Sequence, residues 1–371
     1  MIIPHGKHFA CTPRLYYNWL KHLLFCFKLG ACTLRVLLIG GSGFIGRRVM
    51  ARLQQRGHDV IIFHRGETGR LSEIDAPHIL GNRLEIDRYA QAIEKARPDA
   101  AIDFLPWCDT DTERVVQTLL GRVGRVVHLS SGDVYQAWGN FLKNTYGEPV
   151  PLAEDAPLRS ELYPYAGTRP GMEHYDKILA ERAILQAHYQ DGYPGSIVRL
   201  PMVYGPGDAQ HHLWEYVKRM LDRRPAILLG ACQAAWLSHR GYVDDMAFAI
   251  TLIAERETSP GQIYNVGSAS TLTTAAWVRA IGSVMGWNGE IVTVPDEQLP
   301  PHLQTSYTYQ QHFLMDTSKI RRELGYSELI DPMEALAQTV EWERQYPPAA
   351  YDLSRFDYAA EDAALKQAAG V

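Results

Sequence analysis

Cysteine is scarce and poorly placed to cross-link or bind metal. Five occur in 371 residues, and three of them, Cys11, Cys26 and Cys32, fall in the first 33. An odd number in a chain of this length gives no disulfide framework. No Cys-x-x-Cys or Cys/His pair has zinc spacing, so a cytoplasmic chain without metal is expected. An excess of one charge is also missing. Lys and Arg number 37 against 42 Asp and Glu, a net charge of −5. Neither nucleic acid nor an anionic membrane is therefore an expected partner. Long apolar runs are absent too. The longest apolar stretch, Leu15 to Leu34, is interrupted by Lys21, His22 and Lys28, which makes a poor membrane span. It carries no small-residue cleavage site. It reads either as an interfacial helix or as a segment outside the working protein. Leu34 stands directly before Arg35-Val36-Leu37-Leu38, where a starting Met is usual, and a leucine-type start codon would explain that. Internal repeats and low-complexity tracts are lacking.

Apolar residues are plentiful, at 46%, enough for a sizeable core. From Arg35 onward, apolar runs alternate with amphipathic stretches, as βαβ units require. Strands are expected at Val36–Ile39, Val60–Phe63, Ala100–Leu105, Arg125–Leu129 and Ser196–Leu200. Helices are expected at Phe44–Arg56, Tyr89–Ala96, Val115–Leu120 and Lys177–His188. Continuous apolar runs suit a parallel sheet covered on both faces. The expected class is α/β, a Rossmann doubly wound parallel sheet with a smaller C-terminal substrate-binding lobe. In residue terms, 1–33 is an extension, and 34–200 with 236–268 is the dinucleotide-binding domain. Residues 201–235 and 269–348 form the lobe, with helices at Trp277–Met285, Lys319–Leu324 and Met333–Arg344. Residues 349–371 read as a polar, Ala-rich tail.

Gly40-Gly41-Ser42-Gly43-Phe44-Ile45-Gly46 follows the first strand and opens the first helix. Glycines there allow a tight turn and let backbone amides approach a pyrophosphate at the positive end of the helix. The strand, loop, helix and second strand supply the context that such a glycine pattern needs. An NAD site needs an acid at the end of the second strand, to bind the ribose 2′-hydroxyl. The chain has His64-Arg65-Gly66 instead, and Arg65 suits a 2′-phosphate, with Arg47 and Arg48 adding charge. NADP(H) is the favoured cofactor over NAD. The alternative for Arg65 is a solvated surface residue.

Several further blocks occur in a familiar order: Leu129-Ser130-Ser131-Gly132-Asp133-Val134-Tyr135, Lys177-Ile178-Leu179-Ala180-Glu181-Arg182, Arg199 to Asp208, Tyr242-Val243-Asp244-Asp245, Tyr264-Asn265-Val266-Gly267 and Asp316 to Ile320. With the glycine loop, they make the stretch from about Arg35 to Pro348 resemble the extended short-chain dehydrogenase/reductases, the NAD-dependent epimerase/dehydratase group. The resemblance implies a Rossmann sheet of about seven strands, a lobe closing over a nucleotide-sugar substrate, and often a homodimer. It implies that Ser131 hydrogen-bonds the reacting oxygen. It implies that Lys177 holds the nicotinamide ribose and lowers a tyrosine's pKa. Leu105 and Pro106 match residues beneath the cofactor, and Pro201, Met202 and Val203 match the segment beside the nicotinamide. Asn82 stands where an adenine-binding aspartate is usual.

One position departs from the pattern. The group's acid/base is a tyrosine four residues before the lysine, on the same helix face. Here that residue is Glu173. Tyr175 serves if the helix begins irregularly at Lys177, after Pro170-Gly171. Tyr163 or Tyr165 serves if the preceding loop swings in. Otherwise the redox chemistry is altered or absent. Tyr17–Lys21, the one literal match, lies in the extension and reads as chance. Two functions follow: an oxidoreductase, epimerase or dehydratase using Ser131, Tyr175 and Lys177, or a non-catalytic NADP-binding regulatory or RNA-associated protein. Arg240 reads as a substrate-phosphate ligand or a surface ion-pair partner. Asp244-Asp245 reads as a helix cap, Asp103 as functional or merely hydrogen-bonded, and Trp107 and Cys108 as core or as pocket lining.

Overall fold

The computed structural model describes residues 33–67 and 75–370, and within it the apolar runs of the first half become strands. These are β1 (Arg35–Ile39), β2 (Asp59–His64), β3 (His78–Leu80), β4 (Ala100–Asp103), β5 (Arg125–Ser131) and β6 (Gly195–Leu200). Beyond them come β7 (Met202–Tyr204), β8 (Ala226–Gly230), β9 (Arg240–Tyr242), β10 (Ile263–Asn265) and β11 (Glu290–Val294). Seven strands form one sheet in the order β10-β6-β5-β4-β1-β2-β3, and every neighbouring pair is parallel. This is the doubly wound Rossmann arrangement.

Alternation along each strand decides which face each apolar side chain covers. Val36 and Leu38 of β1 pack with Val49 and Leu53 of the helix Phe44–Gln55, and with Ile250 and Ile253 of the helix Val243–Glu255. Leu37 and Ile39 face the other way, with Val115 and Leu119 of the helix Asp109–Leu119 and Ile184 of the helix Lys177–Asp191. Both faces are dry, so the strands read as continuous apolar runs.

The shorter pieces past β6 build two small parallel pairs, β7 with β9 and β8 with β11. Helices Trp214–Leu221, Thr274–Met285 and Pro332–Gln345 pack around them. The polar, Ala-rich tail carries the helix Tyr358–Ala368. Its Glu361 is buried and accepts from Arg219 Nη2 at 2.6 Å and Nε at 3.1 Å. Asp244 and Asp245 do not cap the helix they open. The cap is Tyr242, without a side-chain bond. Asp245 instead accepts from the Leu329 amide at 2.7 Å, and Asp244 lies 3.6 Å from Arg48. Residues 1–32, with Tyr17–Lys21 and the question of the extension, lie outside the described residues.

Candidate functional site

Parallel strands leave their loops at one end of the sheet. Ile39 of β1 is in register with Phe63 of β2 and Asp103 of β4, so the loops after them rise side by side. A crevice at that end, where the strand order reverses, is where open α/β sheets bind ligands. The glycine loop sits there. Gly40 has a φ of +80°, and a Cβ on it would lie 2.7 Å from Leu105 Cδ1. A Cβ on Gly46 would lie 2.3 Å from the carbonyl oxygen of Gly41, so the helix can start this close to its loop only with glycine there. Gly43 is the helix cap and offers no side chain to its first amides. Those amides and the open space at Gly43 fit a pyrophosphate, as a dinucleotide requires.

The other predicted cofactor residues divide. Leu105 lies against Gly40, and Pro106 follows it, buried. Phe44, Ile45, Pro201 and Val203 line one cavity of about 570 Å³. Ser42 is buried inside the loop, and its carbonyl accepts from Arg47 Nε. Asn82 caps the short turn Arg83–Tyr89 by accepting from the Leu84 amide at 3.1 Å. Arg65 is exposed past β2, and its Nε lies 3.3 Å from Glu67.

The same cavity receives Ser131 and Tyr175. The helix Lys177–Asp191 begins at Lys177, capped by Asp176, whose Oδ1 accepts from the Ile178 amide at 2.9 Å. Asp176 Oδ2 accepts from the Tyr163 amide at 2.6 Å, and the Asp176 amide donates to the Trp107 carbonyl at 2.7 Å. Tyr175 therefore precedes the helix, held in a pinned loop, and helical spacing to Lys177 does not apply to it. Its ring centre lies 5.7 Å from Lys177 Nζ, which donates to the Leu129 carbonyl at 2.9 Å. Burial lowers the Lys177 ammonium to about 8. Tyr165 also lines the cavity, whereas Tyr163 is exposed and is not among its lining residues. Glu173 lies fully in solvent, accepting from the Gly171 amide at 3.1 Å.

Asp133 is the residue that the sequence did not single out. It is buried in the turn after β5, and its Oδ2 accepts from Tyr175 at 2.9 Å and from Tyr165 at 3.1 Å. Its bond to Tyr175 spans 42 residues, and no local spacing signals such a contact. Asp208 and His212 form a second pair on the cavity, with Asp208 Oδ2 bound to His212 Nδ1 at 2.7 Å. Its neighbour His211 turns away, to Glu343 at 2.7 Å. His239 is buried, accepting from the Met315 amide at Nδ1 and bound to the Ser268 carbonyl at Nε2.

Arg240 lines the cavity with no ion pair among the described residues. Its guanidinium lies 4.7 Å from the Trp277 ring centre, one amine donates to the Ser238 carbonyl at 2.9 Å, and Nε is buried without a partner. It is therefore not the surface ion-pair residue that was one of its two expected roles. Trp107 is likewise not core: it is half-exposed and packs edge-on against Tyr175. Asp103 is hydrogen-bonded in the interior, to Arg83 and His128. Among the described residues, no helix is long and apolar enough to cross a membrane.

Comparisons with known proteins bear on this arrangement. The family model described as "NAD dependent epimerase/dehydratase family" matches residues 36–267. The 2'-dehydrokanamycin reductase of Streptomyces kanamyceticus is 27% identical over 292 residues, covering 77% of this chain and 75% of the relative. The UDP-N-acetyl-alpha-D-glucosaminuronate decarboxylase of Bacillus cytotoxicus is 25% identical over 334 residues, covering 84% of this chain and 98% of the relative. A solved dTDP-glucose 4,6-dehydratase from Bacillus anthracis, in complex with NAD, superposes with a TM-score of 0.65. It shows 16% identity and covers 84% of this chain and 97% of its own. The match to the family model spans the sheet, the glycine loop and the Ser131–Lys177 region, and the chain belongs to the NAD dependent epimerase/dehydratase family of enzymes.

Proposed function

We propose that this chain is an NADP(H)-dependent oxidoreductase, epimerase or dehydratase acting at a hydroxyl or carbonyl carbon of a nucleotide sugar or related compound. One observation carries the proposal. Ser131, Tyr175 and Arg240, a cation with no ion pair among the described residues, face a single cavity at the ligand-binding end of the sheet. Hydroxyl donors suit the reacting oxygen, and a desolvated guanidinium suits a diphosphate. The named relatives include enzymes of sugar and nucleotide-sugar chemistry, and a structural neighbour is complexed with NAD.

Gly40 to Gly46 would hold the pyrophosphate, Leu105 and Pro106 would lie under the cofactor, and Pro201 and Val203 beside its nicotinamide. When bound, that nicotinamide supplies a hydride acceptor or donor. Ser131 hydrogen-bonds the substrate oxygen and fixes its distance from Tyr175. Tyr175 exchanges the proton of that oxygen. Lys177 sets a positive charge under the phenol. The rings of Trp138, Trp236 and Phe313 on the cavity wall exclude water and stack on the flat faces of the substrate.

Arg240→Ala is expected to weaken binding of UDP-glucose or dTDP-glucose by roughly tenfold or more, the loss of one charge-assisted contact, while NADPH affinity holds. Equilibrium titration of both variants with both ligands decides it. Unchanged sugar-nucleotide affinity contradicts the diphosphate role.

The NADP(H) preference rests on β2, which ends in His64 and runs into Arg65 with no acid at that point. Wild type is expected to bind NADPH more tightly than NADH, and Arg65→Ala to remove roughly 1–3 kcal/mol of that difference. Equal dissociation constants in the wild type contradict it.

A further inference from the structure

Tyr175 carries an unusual partner. In a site that relies on a phenol and a lysine alone, the ammonium pulls the phenol toward ionisation. Here a carboxylate oxygen of Asp133 is bonded to the phenol at 2.9 Å, while the ammonium of Lys177 lies 5.7 Å from the ring centre and donates to a backbone carbonyl. Coulomb energy falls with distance, so the nearer charge dominates. Burial, then the Asp133 charge, pushes the Tyr175 phenol well above its usual value. The phenol thus enters the reaction protonated. It can accept a substrate proton only by giving up its own.

Asp133 is placed to take it. The Tyr175 hydroxyl donates to Asp133, and Ser131 is a second side-chain partner of the phenol on the cavity side. Tyr165 donates to the same oxygen at 3.1 Å, and Trp138 Nε1 donates to Tyr165 at 3.1 Å, which directs the Tyr165 hydroxyl toward the carboxylate. Oδ1 of Asp133 is buried with no partner among the described residues. Burial raises the carboxyl group, which brings its proton affinity closer to that of the phenol. The other groups facing Asp133 are Arg159, whose Nε donates to the Asp133 backbone carbonyl, and Lys177; Asp176 lies 3.5 Å from Nη2 of Arg159.

We propose that Asp133 is the proton partner of Tyr175, replacing the phenolate of a simpler tyrosine–lysine site with a two-step hand-over. This rests on the reading of Tyr175 as the acid/base. In oxidation the substrate O–H bond breaks and a new O–H bond forms at the Tyr175 oxygen. The original phenolic O–H bond breaks and an O–H bond forms at Asp133 Oδ2. The electron balance is that of hydride loss from carbon, and an oxidised nicotinamide held by the Gly40–Gly46 loop would supply the acceptor. Reduction runs the same steps backward.

The coupling is testable without substrate or cofactor, by following tyrosinate ultraviolet absorbance against pH in the apo protein. Asp133→Asn is expected to bring one tyrosine ionisation down by about one pH unit or more, because the carboxylate charge goes and Lys177 stays. That ionisation should vanish in the Asp133→Asn/Tyr175→Phe double variant. Asp133→Glu keeps the charge, is expected to titrate like wild type, and supplies the comparison should the amide variant not fold. With a turned-over sugar nucleotide, wild-type oxidation should fade as pH falls through the raised carboxyl pKa. Asp133→Asn should lose that acid limb and lower kcat about a hundredfold, with KM little changed, and Asp133→Glu should restore part of the rate. Identical tyrosinate titrations in wild type and Asp133→Asn overturn the coupling, whatever the substrate proves to be. An amide variant with wild-type kcat and an intact acid limb overturns the hand-over. An absence of turnover on any sugar nucleotide counts instead against the functional reading, because the titration stands apart from it.

Discussion

Tyr175→Phe is expected to lower turnover about a hundredfold or more while NADPH affinity changes little. The phenol lines the cavity and donates inward to Asp133, and phenylalanine keeps its ring packing against Trp107. Glu173, at the position where the family pattern has its tyrosine, cannot replace it. It is fully exposed and its carboxylate is engaged with a backbone amide. Tyr163 is excluded by its place outside the cavity lining. Tyr165 does line the cavity, but it acts as a second donor to Asp133, so Tyr165→Phe should cost about tenfold or less. Steady-state kinetics of the three variants check this. A Tyr175→Phe enzyme at wild-type rate, beside an inactive Tyr165→Phe, transfers the acid/base role to the loop.

Asp103→Ala is expected to cost about 3–5 kcal/mol of stability, because it strands buried positive charge. Arg83 grips this carboxylate from two amines, Nε at 2.9 Å and Nη2 at 2.6 Å, and Asp103 is completely buried. His128 approaches it at 3.3 Å and is bound in turn to Tyr193 at 3.0 Å. Asp111, 2.9 Å from Arg83, is the remaining carboxylate after the substitution. Burial alone would raise the Asp103 carboxyl, but the Arg83 charge and the His128 bond outweigh it and hold it well below the usual range. A depressed folded-state pKa stabilises fully above the unfolded value, about 3.9, and the contribution fades as pH drops below that toward the folded value. Thermal denaturation near neutral pH should show the loss, and the gap between the two proteins should narrow in strong acid. A melting temperature unchanged at neutral pH contradicts the account of this cluster.

Much of the fold was legible because buried parallel strands advertise themselves. Val36 to Ile39 and Ala100 to Ile102 are wholly excluded from solvent, so their apolarity is unbroken. The edge strands β3 and β10 were not legible. Each is three residues long and partly exposed, too short for any period to show. The C-terminal helix was missed for another reason. Its buried anchor is a glutamate, Glu361, and composition counts a glutamate as solvated. At the site, the glycine loop was readable from its spacing, since tight turns and close backbone approach leave few residue choices. Tyr175 was readable as the first of three alternatives, and no periodicity fixed it, because the helix starts only at Lys177. Asp133 and the Asp208–His212 pair depend on contacts made in space, and Arg240 on the absence of an ion pair around it. Neither kind of fact is written in local sequence.

The central claim is that this cavity carries redox chemistry on a nucleotide sugar. Its most direct test is a single-turnover experiment. The purified chain is loaded with NADP+ or NAD+, with loading checked by protein fluorescence, and challenged with a panel of UDP- and dTDP-hexoses. The account predicts that at least one member produces the absorbance of reduced nicotinamide, transient or lasting, in wild type, and that Tyr175→Phe abolishes the signal. A bound cofactor whose absorbance never changes with any member of the panel would contradict it.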